Sequence, residues 1–312
     1  MGNSMANSIR VRCPATSANL GAGFDVFGIA LRKPYDVIEV ERAGEGVEIE
    51  VSGFDVPSEP SRNTGGYVAL RMLEEFGLRG GVRIRILKGI RPGSGLGSSA
   101  ATAAGVAFAI NRIFALGLSR GALVRYAAEG EIVSAGVPHM DNVAPAIYGW
   151  FTMVASQRPL RVYSIRPPRE LGILVMVPEG GKRSTEEARR VLPRKVPLEK
   201  AVRNVACAST LAVGMALGDL DMIKVGMEDF IVEPARAEAG ILRAFRPLKE
   251  AARKLGVSLA ASGAGPAVLV IAEPSERKIR RILEALGGIL EEEGIQYSFY
   301  ITELGPGVEE MR

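Results

Sequence analysis

The spacing of apolar and polar residues predicts a first half made of strands and helices. Ile9, Val11 and Cys13 alternate with polar residues and share one face of a first strand. Similar alternation or apolar runs predict further strands over residues 35–41, 47–51, 82–86 and 150–155. Apolar residues at helical spacing, and an alanine-rich stretch, predict helices over residues 66–77, 98–116 and 119–135.

The second half is predicted to begin after Gln157, and Pro167-Pro168 interrupts the chain before its first strand. Strands are predicted over residues 171–177, 257–261, 267–272 and 296–302, and helices over 184–192, 198–217, 219–227, 241–255 and 275–288. Strands and helices are interspersed, with hairpins in place of a regular βαβ repeat. The predicted class is therefore α+β, with one domain over residues 1–160 and a second over 161–312.

Composition and charge disfavour a nucleic-acid-binding module. The chain has 312 residues, of which 47% are hydrophobic and 24% charged, values typical of a globular protein. Its net charge is +4, with 16 basic and 14 acidic residues up to residue 160 and 23 and 21 after it. The pI near 9.1 thus comes from no basic segment, and aromatic residues are only 6% of the chain. The cationic side chains of one predicted strand, Arg83, Arg85 and Lys88, are expected to be solvated.

The content of cysteine and histidine excludes a zinc cluster and a disulfide framework. Cys13 and Cys207 are the only cysteines and are expected in the core, and His139 is the only histidine. The first twelve residues have no apolar core, so no signal peptide is expected. The longest charge-free stretch, residues 92–111, contains four glycines and is not interpreted as membrane-spanning. A soluble, cytoplasmic protein is expected.

The segment between the strand at 82–86 and the helix at 98–116 is a candidate phosphate site. Gly93, Gly95 and Gly97 alternate with other residues, so the backbone can curve around a ligand, and the N–H groups at a helix start favour an anion. Ser98 and Ser99 can cap the helix, bind a phosphate oxygen or ligate magnesium. The spacing fits neither the P-loop nor the dinucleotide fingerprint. By itself, an ordinary glycine loop with a serine cap also explains it.

Two further glycine-rich segments flank this loop in sequence. Residues 14–25 follow the first strand and combine two hydroxyls with Asn19 and Asp25, which a plain turn does not explain. Residues 261–267 join two apolar strands, and a tight hairpin explains them as well as a functional role does.

The three segments together resemble the three motifs of the GHMP kinases, in the same order, from Val11 to Ala267. The first, PATSANLGAGFDVFGIAL, is most similar to the homoserine kinase branch, and the Gly-Glu-His type segment of galactokinases and mevalonate kinases is absent. Residues 139–145 and 185–189 also resemble that branch. The resemblance implies a GHMP kinase fold, with a first half like ribosomal S5 domain 2 and a ferredoxin-like second half.

The resemblance also implies the activity. ATP and Mg²⁺ would be used to phosphorylate the side-chain hydroxyl of L-homoserine, a step toward threonine, and a homodimer is compatible with the family. Neither nucleic acid nor a membrane is an expected partner. Two alternatives stay open: a GHMP kinase for another small alcohol, such as mevalonate, and a catalytically silent GHMP ligand sensor. The presence of Ser99, Glu131 and Asp141 argues against the silent sensor.

Roles for individual residues follow from the same resemblance. ATP would bind at Pro92, Gly93, Ser94, Gly95, Leu96, Gly97, Ser98, Ser99 and Ala100, and the metal at Ser99 and Glu131. The substrate site would comprise Asn19, Asp25, His139, Thr185, Arg189 and Arg236, and the catalytic residues would be Asp141 and Asn142.

Homoserine carries an ammonium, a carboxylate and a hydroxyl, so its site requires both signs of charge. Asp25, helped by Asn19, suits the ammonium, and the planar guanidinium groups of Arg189 and Arg236 suit the carboxylate. Asp141 lies where other GHMP kinases place a catalytic acid. A loose transition state makes little demand for early deprotonation, so we expect Asp141 and Asn142 to orient the hydroxyl, with its proton leaving late.

Overall fold

A computed structural model of the chain describes residues 7–136, 138–179 and 185–311. Its strands are β1 (Ser8–Ala18), β2 (Phe27–Ala43), β3 (Val47–Gly53), β4 (Gly81–Lys88), β5 (Phe151–Gln157), β6 (Leu160–Ile165), β7 (Gly172–Pro178), β8 (Ser258–Ala261), β9 (Val268–Ala272), β10 (Tyr297–Glu303) and β11 (Glu309–Glu310). Its helices are α1 (Thr64–Glu75), α2 (Ser98–Ile113), α3 (Arg120–Ala135), α4 (Met140–Tyr148), α5 (Thr185–Arg190), α6 (Leu198–Leu217), α7 (Leu220–Gly226), α8 (Val232–Glu238), α9 (Phe245–Lys254) and α10 (Glu276–Glu292).

The strands form two sheets, and in both the spatial order of the strands differs from their order in the sequence. The larger has the order β11-β1-β2-β4-β3, with β5 paired to β2 and β6 to β5, and only its β3–β4 pair is parallel. The smaller is antiparallel, in the order β10-β7-β9-β8. Strands and helices are interspersed along the chain and most strand pairs are antiparallel, so the predicted α+β class is confirmed.

The core of the larger sheet depends on the small side chains of α2, which packs on β1 and β2. Gly105 lies against Cys13, and a Cβ added at Gly105 would overlap the Cys13 Sγ atom. The glycine thus lets the helix approach the sheet closely. Cys13 and Cys207 are both buried free thiols, which confirms their prediction as core residues.

Most predicted elements are present with ends shifted by a few residues. Four elements were not predicted: α4, β6, α8 and β11. α4 and α8 are short helices with an internal proline, Pro145 and Pro234, which the sequence pattern does not favour. β6 is largely solvated and β11 has two residues, so neither has a strong apolar signature. The predicted helix start at Ser184 lies outside the described residues.

The boundary between the two proposed domains falls at the start of a strand. β6 begins at Leu160 and pairs with β5 in the larger sheet, and β11, close to the C-terminus, pairs with β1 in that sheet. Ile173 and Val175 of β7 also belong to the core cluster of the larger sheet. The division into residues 1–160 and 161–312 stays a prediction.

The charge-free stretch 92–111 forms a loop and most of α2, and the helix is packed within the core. Across the described ranges, no helix combines the length and apolar character needed to cross a bilayer.

The prediction that Lys88 is solvated was wrong. Alternation along β4 places Lys88 on the same inward face as Val82, Ile84 and Ile86, and it is only 2% exposed. Its ammonium is paired with the buried carboxylate of Asp36. Arg83 and Arg85 lie on the opposite, outer face. There they form exposed ion pairs with glutamates of β2 and β3, Glu39, Glu41, Glu48 and Glu50, so their prediction as solvated residues holds.

Candidate active site

A cavity of about 740 Å³ lies where the three glycine-rich segments meet. It is lined by residues of all three, including Asn19, Gly95 and Gly263. Long-range hydrogen bonds hold the segments together: Thr16 N donates to Leu96 O at 3.1 Å, and Ala267 N donates to Ser94 O at 3.1 Å. Three segments that are far apart in sequence therefore form one site.

The glycine-rich loop (residues 93–99) has the backbone geometry of an anion site. Gly93, Gly95 and Gly97 have positive φ values of 72°, 86° and 61°, a region that favours glycine. Gly97 is the N-cap of α2 and makes no side-chain cap hydrogen bond, so the N–H groups of the first turn are not occupied by a cap. The loop thus offers backbone donors at the positive end of a 16-residue helix.

The two serines after Gly97 have different surroundings. The Ser98 hydroxyl donates to Ile90 O at 2.9 Å and is buried, so helix capping, one of its three open roles, is not observed. The Ser99 hydroxyl lies close enough to the Glu131 carboxylate to oppose the rise of the Glu131 pKa that burial causes. Of the other loop residues predicted to bind ATP, Pro92 lines the cavity, whereas the side chains of Leu96 and Ala100 are buried in the core.

A buried ion pair supports the loop from below, and sequence analysis missed it. Lys88 Nζ donates to Ser98 O at 2.8 Å and to Thr102 Oγ1 at 3.0 Å. Its partner Asp36 accepts from Gly89 N and Ile90 N, both at 3.0 Å. The pair thus joins the end of β4 to the first turn of α2. The inward alternation of β4 was the signal that could have placed Lys88 here.

Glu131 lines the cavity of the glycine-rich loop and is a candidate ligand for a cation. It is 3% exposed, and burial raises its pKa to about 7. His139 Nδ1 lies 3.8 Å from Glu131 Oε2, and burial lowers the pKa of His139. No cluster of three or more His, Cys, Asp or Glu side chains suits a metal in the described ranges. Ser99 and Glu131 are hard oxygen donors and fit Mg²⁺ if phosphate and water supply the remaining ligands.

Asp141 and Asn142 lie in the first turn of α4 and line the same cavity. The Asn142 Oδ1 atom accepts from Thr16 Oγ1 at 3.1 Å, which links the first segment to α4. Asp141 is 4% exposed, and burial is the main cause that raises its pKa to about 7, with the charge of Asp25 adding to it. Thr16 was not predicted as a site residue, although it belongs to the first segment.

The residues predicted to bind the substrate's charges lie together and contact each other. Arg189 donates to both oxygens of Asp25, at 2.9 and 2.6 Å. Asn19 donates to Gly263 O at 2.8 Å and accepts from Asp25 N at 3.1 Å, so it supports Asp25. Arg236 is buried and lies, like Arg189, over the ring of Phe24, a residue that sequence analysis missed.

All six predicted substrate residues, Asn19, Asp25, His139, Thr185, Arg189 and Arg236, line the cavity, as do Asp141, Asn142, Ser99 and Glu131. The cavity is also lined by a group near the start of α1 that sequence analysis did not single out, including Asp55, Pro57, Asn63 and Thr64. Asn63 caps α1 through its side chain, a pattern visible in the sequence only as an ordinary helix start.

Comparison with known proteins agrees with this geometry. Residues 63–150 match the GHMP kinases N terminal domain. A homoserine kinase of Methanococcus maripaludis is 41% identical over 303 residues, which cover 96% of this chain and 97% of that protein. The chain belongs to the GHMP kinase family. A homoserine kinase of Halorubrum lacusprofundi is 43% identical, with 96% of this chain and 98% of that protein covered.

Solved structures place the fold in the same family. The crystal structure of homoserine kinase from Cytophaga hutchinsonii has a TM-score of 0.90 and 32% identity, covering 100% of this chain and 99% of that one. L. major mevalonate kinase, solved with R-mevalonate, has a TM-score of 0.74 and 17% identity, covering 98% and 99%. The second similarity shows the fold alone. The predicted GHMP kinase fold is confirmed.

Proposed function

We propose that the protein is a homoserine kinase, an ATP:L-homoserine O-phosphotransferase. It transfers the terminal phosphoryl group of ATP to the side-chain hydroxyl of L-homoserine, giving ADP and O-phospho-L-homoserine, in threonine biosynthesis. The observation that carries the proposal is the placement of Asp25, Arg189 and Arg236 in the cavity of the glycine-rich loop. An amino-acid alcohol needs both signs of charge beside a phosphate site, whereas mevalonate has no ammonium group. The curated homoserine kinases of similar length support it.

The proposed phosphoryl transfer depends on charge placement more than on covalent chemistry. The triphosphate would bind to the N–H groups of the glycine-rich loop, and Ser99 and Glu131 would hold Mg²⁺. When bound, Mg²⁺ neutralises charge on the phosphoryl oxygens. The pair of Lys88 and Asp36 keeps the first turn of α2 fixed behind the loop.

Homoserine would bind by exchanging partners with an existing ion pair. Asp25 and Arg189 contact each other through two hydrogen bonds, and each side chain is about one-third exposed, at 36% and 33%. In the proposed complex the ammonium binds Asp25, while Arg189 and Arg236 bind the carboxylate, so that no charge loses its partner. Asn19, Thr185 and His139 complete the proposed substrate site.

Asp141 and Asn142 are proposed to orient the substrate hydroxyl. For Asp141→Asn we expect kcat to fall by about tenfold to a hundredfold, at or below the lower limit of the ~10²–10⁴-fold that a general base contributes. Because burial raises the pKa of Asp141, the protonated carboxyl is favoured, and its contribution to stability is lost as the pH rises through about 7. The uncharged variant should therefore fold at pH 8 at least as stably as wild type. A fall of tens of thousands in kcat without a change in KM would show that Asp141 is a base.

The substrate assignment is tested by a coupled ADP-release assay with L-homoserine, mevalonate and L-2-aminobutyrate, which lacks the hydroxyl. We expect turnover with homoserine alone, and 2-aminobutyrate should compete with it. Preferential turnover of mevalonate would replace homoserine as the substrate. ATP binding without turnover of any alcohol would favour the ligand sensor.

We include in the proposal a homodimer and a cytoplasmic location. Large apolar side chains are exposed along α6 and support association with a second copy: Leu198, Val202, Val205, Val213 and Leu217. A mass in solution equal to one chain, 33.2 kDa, would contradict the homodimer.

A further inference from the structure

A buried carboxylate outside the cavity joins α8 to the strand that leads into the third glycine-rich segment. Glu233, in the first turn of α8, is 3% exposed. Its Oε1 atom accepts from Ala261 N at 2.8 Å, at the end of β8, and its Oε2 atom accepts from Lys249 Nζ of α9 at 2.6 Å. Burial raises the pKa of Glu233 to about 7, and Lys249 opposes that shift.

One turn further along α8, Arg236 binds the same hairpin. Its Nη1 atom donates to Gly263 O at 2.8 Å and its Nε atom to Ala188 O at 3.2 Å. Within the described residues its Nη2 group makes no hydrogen bond, so it is available to a ligand. Glu233 and Arg236 thus bind the backbone at Ala261 and Gly263, the two residues that flank Ser262. Here β8 ends and the β8–β9 hairpin (residues 262–266) begins.

The β8–β9 hairpin is also bonded to the two other glycine-rich segments. The carbonyl of Gly263 accepts from Asn19 Nδ2 at 2.8 Å as well as from Arg236. Ser262 Oγ donates to Gly95 O at 2.7 Å in the glycine-rich loop. The direct links of α8 run to Ala261 and Gly263, at the amino-acid end of the cavity. The glycine-rich loop touches the hairpin through Ser262 and has a second support in Lys88.

We infer that Glu233 is a positioning residue for homoserine binding: by holding Ala261 N it fixes the β8–β9 hairpin against α8, so that Arg236 and Asn19 meet at the Gly263 carbonyl. The inference rests on the proposed function. Burying a charged pair is costly, and an apolar pair of similar volume is often no less stable. A charge-assisted hydrogen bond is directional, so a carboxylate that accepts from one backbone N–H fixes the position of that backbone, which apolar packing does not do.

Two double variants separate the hydrogen bond from the ion pair. Both carry Lys249→Met, which avoids leaving a buried ammonium opposite a neutral residue. Glu233→Gln keeps an acceptor for Ala261 N, whereas Glu233→Met fills similar volume without one. We expect KM for homoserine to stay within about threefold of wild type in the first and to rise at least tenfold in the second. KM for ATP should change less than threefold in both.

Equal KM values for homoserine in the two double variants would overturn the inference, because the acceptor would then have no role in binding. A parallel rise of both KM values in the Glu233→Met variant would also overturn it, because that pattern indicates general loosening of the site. If this variant does not fold, Glu233→Asp with Lys249 retained is measured. Its carboxylate is one methylene shorter and does not reach both partners, so the same selective rise is expected, and its absence overturns the inference.

The outcome is distinguishable from failure of the proposed function. If homoserine is not the substrate, the wild-type protein shows no homoserine-dependent ADP release. If homoserine is the substrate and Glu233 has no positioning role, wild type releases ADP with homoserine, and the two double variants either share one KM for homoserine or show no rise that is selective for it.

Discussion

Glu131→Gln is expected to lower kcat with ATP and homoserine by about 10³-fold, the largest effect of a single side-chain change in this site. The substitution preserves shape and removes the negative charge of a carboxylate that lies close to Ser99 in the cavity of the glycine-rich loop. A neutral amide is a weaker ligand for Mg²⁺, so the Mg²⁺ concentration for half-maximal activity should rise as well. Initial rates measured over a Mg²⁺ titration give both quantities.

Glu129→Gln is the matched control because Glu129 lies on the same helix, α3, two residues earlier. Its carboxylate is exposed and lies 3.5 Å from Arg71 on the surface, so its loss should leave activity and Mg²⁺ dependence unchanged. Thermal unfolding shows whether either variant is damaged in folding. If Glu131→Gln is folded and keeps the wild-type response to Mg²⁺, Glu131 is not a metal ligand.

Gly97→Ala is expected to reduce both stability and activity strongly. The residue has a φ of +61°, where an L side chain costs about 1–2 kcal/mol. The new Cβ would also overlap the Thr16 hydroxyl and lie 3.1 Å from Asn142 Oδ1. Relieving such an overlap costs a further ~1–3 kcal/mol and moves the loop relative to α4. Because small displacements of reacting groups are costly, kcat/KM should fall by about 10²-fold or more.

Gly117→Ala isolates the backbone part of this effect. Gly117 has a similar φ of +67°, and nothing lies within 4 Å of an added Cβ. We expect only the ~1–2 kcal/mol backbone cost and unchanged kinetic constants. Denaturant unfolding and steady-state kinetics on both variants make the comparison. Equal losses of stability and activity in the two variants would mean that the overlap of the new Cβ with Thr16 does not disturb the loop.

Strand alternation was informative wherever one face of a strand is buried, and it failed where a charge occupies the inner face. Val82, Ile84 and Ile86 marked the inward side of β4 correctly. The same period places Lys88 inside, but a lysine next to two arginines resembles a solvated stretch. The buried ammonium of Lys88 is stable there because it pairs with the carboxylate of Asp36, which lies 52 positions away in a neighbouring strand.

The predicted substrate residues show the same limit. Asp25, Arg189 and Arg236 could be selected from the motifs, and each lines the cavity. Their mutual contacts could not be predicted, because the bidentate pair of Asp25 and Arg189 joins residues 164 positions apart. The resemblance of short segments to a family predicts which residue types are present and in which order. The distances between their side chains depend on how the sheets and helices pack.

The amino-acid sequence by itself determined the α+β class, the positions of most strands and helices, the glycine-rich loop before α2 and the family. These depend on local periodicity and on backbone conformations that few residues adopt. Only the tertiary structure decided that Lys88 supports the loop, that Asn19 and Arg236 share the Gly263 carbonyl, and that burial raises the pKa values of Glu131 and Asp141 to about 7. Such properties arise from groups distant in the chain that exclude water together, and burial of that kind leaves no signature in a local stretch of sequence.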